Sequence, residues 1–470
     1  MSHSHTRMPA RPRYHRRLPA AVLAIAAESI LFSILLSIPL AVVKAQSPSP
    51  VVTAHTMPAA MGADPLGLPM TRAGSGTAWL PDSAPMYGVM RNAGAWMLMM
   101  HGTVFVQQIV QGGPRGASQF GSVNWGMINA MRTVGGGRLQ LRGMASVDAF
   151  TVGGRGYPLL LQTGESYRNE ALHDRQHPHD MFMELAAVYE HALTKSVGLQ
   201  LYAAPSGEPA LGPVAFPHRP SAAADPFATI GHHWQDATHV SFGVVTAGVY
   251  SSRLKVEASV FNGREPDGVR TNIDWQGARL DSYAWRVTLN PSPELSLSTS
   301  IGRLADAEKA HPGAAVQREV TSLLWSRSRA DGGSRSVAII LGSNAVDDEA
   351  SSYGVSVEAM AELRGGLQLT ARAEAVEKSG EELVLTPRDE TRYQVGQLSL
   401  GALRERSVRG AGRVGLGARG TVNVVPAPLR AAYGSRFPLG AAVYLRWRTG
   451  RMVMNAMDGM AGMDHMNHKP

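Results

Sequence analysis

Apolar and polar residues alternate along most of this chain with a period of two. In one clear case Leu254, Val256 and Val260 lie on one side, and Lys255 and Glu257 lie on the other. Successive side chains of a β-strand point to opposite faces, so this alternation predicts strands with one apolar and one polar face. In a soluble sandwich the polar face meets bulk water, whereas in a membrane barrel it lines the lumen. The period alone does not separate these two folds.

The lengths of the connections do separate them. Tight joints at 134–136, 194–195 and 290–292 alternate with long connections, above all 151–179 and 205–235. A barrel returns every second connection to the same rim, so this sorting predicts turns on one rim and loops on the other. We place the strands near 95–110, 117–132, 137–150, 180–193, 196–204, 236–250, 252–263, 279–290, 293–303, 315–328, 334–343, 352–362, 366–377, 390–403, 411–424 and 437–448.

The predicted fold class is therefore all-β: a transmembrane antiparallel β-barrel of about 16 strands, with about 14 to 18 left open by soft boundaries. Short turns are expected in the periplasm and long loops at the cell exterior, because an even strand count returns both ends of the barrel to one side. Mixed charge in the lumen argues against a strongly ion-selective pore. The residues expected to supply that charge are Arg138, Arg142, Glu257, Glu358, Arg372 and Glu374.

The beginning of the chain has the organisation of an export signal. Basic residues precede an apolar run over 18–43, and Val43 and Ala45 provide the small residues that signal peptidase requires. The alternative is an uncleaved inner-membrane anchor, since the run is long enough to cross a bilayer, although Glu28 weakens such a helix. With cleavage after Ala45, the predicted parts are a signal peptide (1–45), a partly disordered periplasmic lead-in (46–94), the outer-membrane barrel (95–448) and a periplasmic Met/His tail (449–470).

The amino-acid composition excludes several classes of partner and site. The chain has 45 basic and 37 acidic residues, of which six and one lie in the leader, so the remainder carries 39 and 36 and is close to neutral. The high pI is thus largely a targeting feature and gives no reason to expect a nucleic-acid partner. The absence of cysteine excludes disulfides, thiolate metal sites and cysteine nucleophiles.

Two groups of histidines flank the two long connections. Residues 173–180 read HDRQHPHD and residues 232–239 read HHWQDATH. Imidazole together with carboxylate suits zinc, nickel or copper(II). A bound metal and a polar network that holds the loops as a constriction both remain open, and a hydrolytic site is a third alternative without a recognised spacing. The candidate metal ligands are His173, His177, His179, Asp180, His232, His233, Asp236 and His239.

Methionine recurs at every third position after the last predicted strand. Thioether sulfur is a soft ligand that selects Cu(I), and imidazole extends the preference to Cu(II). A period of three fits neither a strand nor a helical stripe, so the alternative is a disordered tail with incidental methionines. The candidate copper ligands are Met454, Met457, Met460, Met463, His465, Met466 and His468.

Four strings carry a resemblance: QTGE at 162–165, LHDRQHPHD at 172–180, GEPALGP at 207–213 and GHHWQD at 231–236. With them, most of 70–450 resembles a family of bacterial exported outer-membrane β-barrel proteins to which no activity is assigned. The resemblance implies the barrel and its location but no reaction. The tail is similar, in composition only, to the Met/His-rich segments of outer-membrane copper-resistance barrels, where the rich segment precedes the barrel.

These patterns predict a non-enzymatic barrel for binding or passage of a small solute or metal ion, with copper handling as the most specific version. The alternatives are an enzyme with a metal site in the two loops, and a plugged structural or adhesive barrel. The expected partners are outer-membrane lipid and the solute or ion, and the oligomeric state is left open. No cofactor is fixed by the patterns: copper at the tail, and zinc, nickel or copper at the histidine loops, are the candidates.

Overall fold

Sixteen antiparallel strands close into a barrel in the computed structural model of the protein. The structure describes residues 63–168, 170–274, 279–307, 312–329, 332–347, 351–385, 391–410 and 412–452. Closure is made where the first strand pairs with the last, for example Gln107 with Tyr444. The strands are β1 (Trp96–Gln111), β2 (Ser118–Val134), β3 (Gly137–Ala145), β4 (Phe182–Ala192), β5 (Gly198–Gly207), β6 (Ser241–Tyr250), β7 (Leu254–Phe261), β8 (Ser282–Ser292), β9 (Leu295–Leu304), β10 (Val316–Ser328), β11 (Ser334–Val346), β12 (Ser352–Glu362), β13 (Leu367–Ser379), β14 (Arg392–Val408), β15 (Gly412–Val424) and β16 (Leu439–Arg448).

The predicted fold class is confirmed, including the sorting of connections by length. One rim, here called the turn rim, carries the short joints such as the one between β2 and β3. The other, the loop rim, carries the long connections 146–181 and 208–240. Two predicted boundaries are wrong, because the chain turns into short helices there. Strand β3 ends at Ala145, before helix α1 (Asp148–Thr151), and β6 begins only at Ser241, after helix α2 (His232–Gln235) and a 3-10 turn (Ala237–His239).

The outer surface of the barrel is apolar. On β6, Val245 and Val249 point outward and are each 46% exposed, whereas Val244 and Tyr250 point inward and are 1% and 3% exposed. A closed set of strands satisfies its backbone groups internally, so such a surface can face lipid. The same outward exposure is found around the wall at Trp285, Ile301, Leu341, Leu369, Leu400, Leu416, Val443 and Leu445.

Among the described residues, no helix has both the length and the apolar character needed to cross a membrane. The remaining helices are one-turn elements: a 3-10 turn at Met70–Arg72, another at Ala427–Leu429, and helix α3 (Arg430–Tyr433).

The segment that precedes the barrel lies inside it. Thr77 donates a hydrogen bond of 2.9 Å to Glu257 on β7, and Arg72 pairs at 2.6 Å with Asp82 of the same segment. The sequence predicts a periplasmic lead-in here, with residues 74–81 as an ordered plug or rim contact. In the structure, the segment 63–88 packs against inward-facing strand residues. It then leaves the lumen as a short strand, Val89–Ala93, that forms a hairpin with β1.

Connection 208–240 also folds into the lumen and reaches walls on opposite sides. Leu211 packs where Gly302 of β9 lacks a side chain, since an added Cβ would lie 2.9 Å from a leucine methyl carbon. Arg219 forms a bidentate pair with Glu358 of β12, with both contacts at 2.8 Å. On the far side, Tyr444 of β16 donates to the carbonyl of Ala224 at 3.1 Å. The loop is therefore held across the full width of the barrel.

Connection 146–181 is ordered by two small sheets, Tyr157–Pro158 with Arg175–Gln176 and Glu165–Tyr167 with Glu170–Leu172. The six predicted lumen charges are all buried on inward faces, where they bond the folded-in segments. Arg142, for example, donates to the carbonyl of Gly76 at 2.6 Å. Their role is thus to hold the contents of the barrel rather than to line an open pore.

Candidate metal centre

The two long connections bring three histidines to one point. His177 comes from the first connection, and His232 and His233 come from helix α2 in the second. One ring nitrogen from each can be chosen so that all three lie within 4.8 Å of one another. Two nitrogens that each lie about 2.0 Å from a shared tetrahedral ion are roughly 3.3 Å apart. Rotation of the side chains would have to move the ring nitrogens by about an ångström to reach this spacing.

The barrel wall fixes the position of helix α2. Trp234 donates from its indole nitrogen to Ser352 at 2.8 Å. The helix can approach because two wall residues are glycines: a Cβ on Gly342 would lie 2.0 Å from the Trp234 carbonyl oxygen, and one on Gly354 would lie 3.1 Å from the Trp234 Cβ. The histidines on either side of this tryptophan are therefore carried by the wall rather than by a free loop.

Four histidine rings are oriented by acceptors on their Nδ1 atoms. His232 donates to the Asp236 carboxylate at 2.7 Å, and His239 donates to the Asp236 carbonyl at 2.7 Å. His177 donates to the Pro178 carbonyl at 3.1 Å, and His179 donates to the Asp148 carboxylate at 2.7 Å. Because each acceptor lacks a proton, the ring hydrogen is on Nδ1 and the lone pair is on Nε2. Metal-binding histidines are oriented in this way by carboxylates and carbonyls.

The Nε2 atoms on the opposite side of these rings are buried and have no hydrogen-bond partner among the described residues. The same holds for Nε2 of His233. Neighbouring ring centroids are close together: 5.1 Å between His232 and His239, 5.5 Å between His177 and His232, and 5.6 Å between His179 and His239. We call this group of His177, His179, His232, His233 and His239 the five-histidine cluster.

Burial keeps three rings of the cluster, His177, His233 and His239, uncharged. It holds the pKa of His177 and His233 well below the usual histidine range, with the nearby Arg270 adding to the effect at His177 and His232 adding to it at His233. Burial and the neighbouring His232 lower the pKa of His239 to about 3. Neutral imidazole is the form that binds metal, so these residues need not lose a proton at neutral pH to accept an ion.

Glu165 is a site residue that the sequence analysis missed. Its Oε1 lies 3.5 Å from Nε2 of His177, and its Oε2 accepts from Arg270 at 2.8 Å. Although burial opposes this, Arg270 lowers the pKa of the Glu165 carboxyl, so a carboxylate faces the cluster. Glu165 ends the string QTGE at 162–165, which carries part of the resemblance, but it lies away from both histidine groups and is therefore absent from the candidate ligands. The residue before it, Gly164, is the one sequence feature that hints at a close approach here. In the structure its φ is +105°, and an added Cβ would lie 2.4 Å from the His233 ring.

Three predicted ligands have other roles in the structure. The Asp236 carboxylate is used by His232 on one oxygen and by Arg219 at 3.1 Å on the other, so it orients rather than faces the cluster centre. Asp180 pairs with Arg270 at 3.1 Å, and burial nevertheless raises its pKa to about 6.

His173 is half exposed and bonds Arg115 at 2.7 Å and Asp174 at 3.1 Å, apart from the cluster. The predicted tail ligands lie outside the described residues and stay predictions: Met454, Met457, Met460, Met463, His465, Met466 and His468.

The chain matches no protein-family profile, and no curated protein matches it in sequence. Its structure is similar to solved outer-membrane barrels. OmpF of Salmonella typhi in complex with daunomycin has a TM-score of 0.49 and 8% identity, over 77% of this chain and 100% of that one. An anion-selective porin from Comamonas acidovorans has a TM-score of 0.45 and 11% identity, over 75% and 99%. The outer membrane channel DcaP of Acinetobacter baumannii has a TM-score of 0.40 and 9% identity, over 77% and 100%. The likeness concerns the barrel alone.

Proposed function

We propose that this chain is an outer-membrane barrel that binds a transition-metal ion inside its lumen, at the five-histidine cluster. The single observation that supports the proposal most is that His177, His232 and His233 bring ring nitrogens within 4.8 Å of one another, in a cluster whose five buried Nε2 atoms have no hydrogen-bond partner among the described residues. A buried polar atom without a partner costs about 1–3 kcal/mol, and five such atoms side by side are costly unless something binds them. Imidazole with one carboxylate favours zinc, nickel or copper(II).

The alternative of a purely structural polar network is less well supported. Such a network is present, but it uses the Nδ1 atoms, the carboxylates and the arginines. Arg270 joins Glu165 to Asp180, and Arg219 joins Asp236 to Glu358. These contacts hold the two loops without the Nε2 atoms. The network is therefore better explained as the support that positions the cluster.

The proposal is tested by metal titration of the purified full-length chain in detergent against a chromophoric chelator. We expect zinc to bind in the lumen, and His177→Gln and His232→Gln each to weaken that binding by more than about 100-fold, since changes to supporting residues alone cost about 10–100-fold. His173→Gln is the matched control, because it removes an imidazole from the same loop but outside the cluster. Equal zinc affinity in the wild type and both cluster variants would overturn the proposal.

A further inference from the structure

A second set of metal donors lies deeper in the barrel, in one row across three strands. His101 on β1 is directly opposite Met127 on β2, and Met127 is directly opposite Met144 on β3. Directly paired residues of antiparallel strands place their side chains on the same face. Met127 and Met144 are both buried on the inward face. The row therefore presents one imidazole and two thioethers to the lumen.

His218 of the folded-in connection completes this row from above. Its Nε2 lies 3.3 Å from the Sδ of Met144, and its ring is 5.7 Å from the ring of His101. A metal–nitrogen bond of about 2.0 Å and a metal–sulfur bond of about 2.3 Å at a tetrahedral angle put the two donor atoms roughly 3.5 Å apart. The observed nitrogen–sulfur distance is thus already that of two ligands on one ion.

The donor types identify the ion. Thioether sulfur is a soft ligand that favours Cu(I), and imidazole binds copper in either oxidation state. Burial lowers the pKa of His218 to about 3, so its ring is neutral and able to donate an electron pair. The other explanation of the row is packing, because methionine fills irregular gaps in apolar cores. Packing accounts for the two methionines, which belong to an apolar cluster with Met183, Val240 and Phe242. It does not account for the two imidazoles beside them, of which His218 meets the Met144 sulfur either in an N–H···S hydrogen bond or, with an ion bound, as a second ligand.

We propose that His101, Met127, Met144 and His218 form a second metal site, which takes Cu(I). We call it the Met/His row. It rests on the proposed function only for the supply of the ion, since its four donors are separate from the five-histidine cluster.

The Met/His row lies between the cluster and the turn rim. A small space of about 20 Å³ is lined by Met144, His218 and His239, and His239 belongs to the cluster. His218 and Met127 also line a larger cavity of about 190 Å³ that reaches Tyr87 and Arg448 beside the turn rim. The row thus adjoins the cluster through His239 and the larger cavity through His218 and Met127.

The test uses the full-length chain with the five tail methionines beyond Met452 (454, 457, 460, 463 and 466) replaced by glutamine, so that sulfur bound to copper cannot come from these residues. Cu(I) is titrated anaerobically against a chromophoric chelator, and X-ray absorption reports the atoms bound to copper. We expect a sulfur shell, and we expect Met144→Leu to remove it and to weaken Cu(I) binding at least tenfold. Met131→Leu is the matched control, because Met131 is a buried methionine of β2 outside the row.

The outcomes separate the two proposals. Nitrogen-only copper, with equal Cu(I) affinity in Met144→Leu and Met127→Leu, would overturn the Met/His row and leave the cluster standing. Loss of zinc binding in Met144→Leu would also count against the row as a separate site. Sulfur-bound copper in a chain that fails the zinc test would support the row while the proposed function fails. Heat-modifiable gel mobility confirms that each variant is a folded barrel.

Discussion

The Nδ1 atom of His232 lies 2.7 Å from Oδ1 of Asp236, one helical turn later, and the second oxygen of that carboxylate accepts from Arg219 at 3.1 Å. Arg219 in turn is paired with Glu358 on the barrel wall. The His232 ring is thereby held in the lumen by a series of buried charged residues that begins with Glu358 on β12. Such a series is costly to bury, and it fixes a ring whose Nε2 is buried without a hydrogen-bond partner among the described residues.

Replacing Asp236 by asparagine should weaken zinc binding about 10–100-fold, the usual cost of losing the group that orients a metal-binding histidine. The amide keeps the size of the side chain but removes the charge that fixes the His232 ring. Chelator competition measures the effect. Asp174→Asn serves as the control, since that carboxylate bonds His173 outside the cluster. Unchanged affinity in Asp236→Asn would show that the His232 ring needs no such support.

Gly164→Ala should distort the cluster without altering the barrel. The new Cβ would lie 2.4 Å from Cγ of His233, so the ring must move away from its neighbours. Gly153→Ala is a matched control: Gly153 also has positive φ, +76°, but its added Cβ meets nothing within 4 Å. We expect at least about tenfold weaker zinc binding for Gly164→Ala alone, on the scale of lost supporting contacts. Equal losses in both variants would assign the effect to backbone strain instead.

The stability of the protein should depend on pH through Glu208, which lies where the second long connection meets Ser75 of the N-terminal segment. Burial raises the pKa of Glu208 to about 8, despite Arg286 nearby, and the acidic Glu184 and Asp236 add to the increase. The pKa of this carboxyl is higher in the folded than in the unfolded protein. Between about pH 4.5 and about pH 8 only the unfolded state ionises, so the free energy of unfolding falls as the pH rises through this interval.

The full shift corresponds to roughly 5 kcal/mol. The free energy of unfolding in guanidinium should therefore fall less steeply over this pH interval in Glu208→Gln than in the wild type. Parallel pH profiles of the two proteins would contradict the assignment.

Truncation after Met452 should remove copper bound by the tail and leave zinc at the loops unchanged. The truncated chain should keep Arg451 and Met452, because both contact the rest of the protein. The backbone N–H of Met452 donates to the carbonyl of Met86 at 2.9 Å, and Arg451 donates to Ser328 at 3.0 Å. The predicted tail ligands all lie beyond this point. Metal analysis of the two purified proteins gives the copper and zinc per chain, and equal copper in both would remove the role predicted for the tail.

The barrel was predictable because its determinants are local. Alternation sets the two faces of each strand, and the sorting of turns and loops sets the topology, so both can be derived from the order of residues along the chain. The strand boundaries at 150 and 236 failed for two different reasons. Asp148 accepts from the backbone N–H of Asn124 on β2 at 2.7 Å, a contact between distant parts of the chain, whereas His232 bonds Asp236 within one helical turn.

The site was only partly predictable, because its remaining determinants are distant in sequence. The histidines were visible as two groups, but Glu165 reaches them only through the fold of a long loop. The Met/His row depends on the register of three strands and on one loop histidine, and no spacing along the chain relates His101 to His218. The entry of residues 63–88 into the lumen depends on partners such as Glu257, about 180 residues away.

The most direct test of the central claim is anomalous diffraction at the zinc absorption edge from crystals of the full-length protein equilibrated with zinc. The account predicts a peak about 2.0–2.1 Å from the Nε2 atoms of His177, His232 and His233. Zinc found only at surface side chains, with no anomalous density among these three rings, would contradict it.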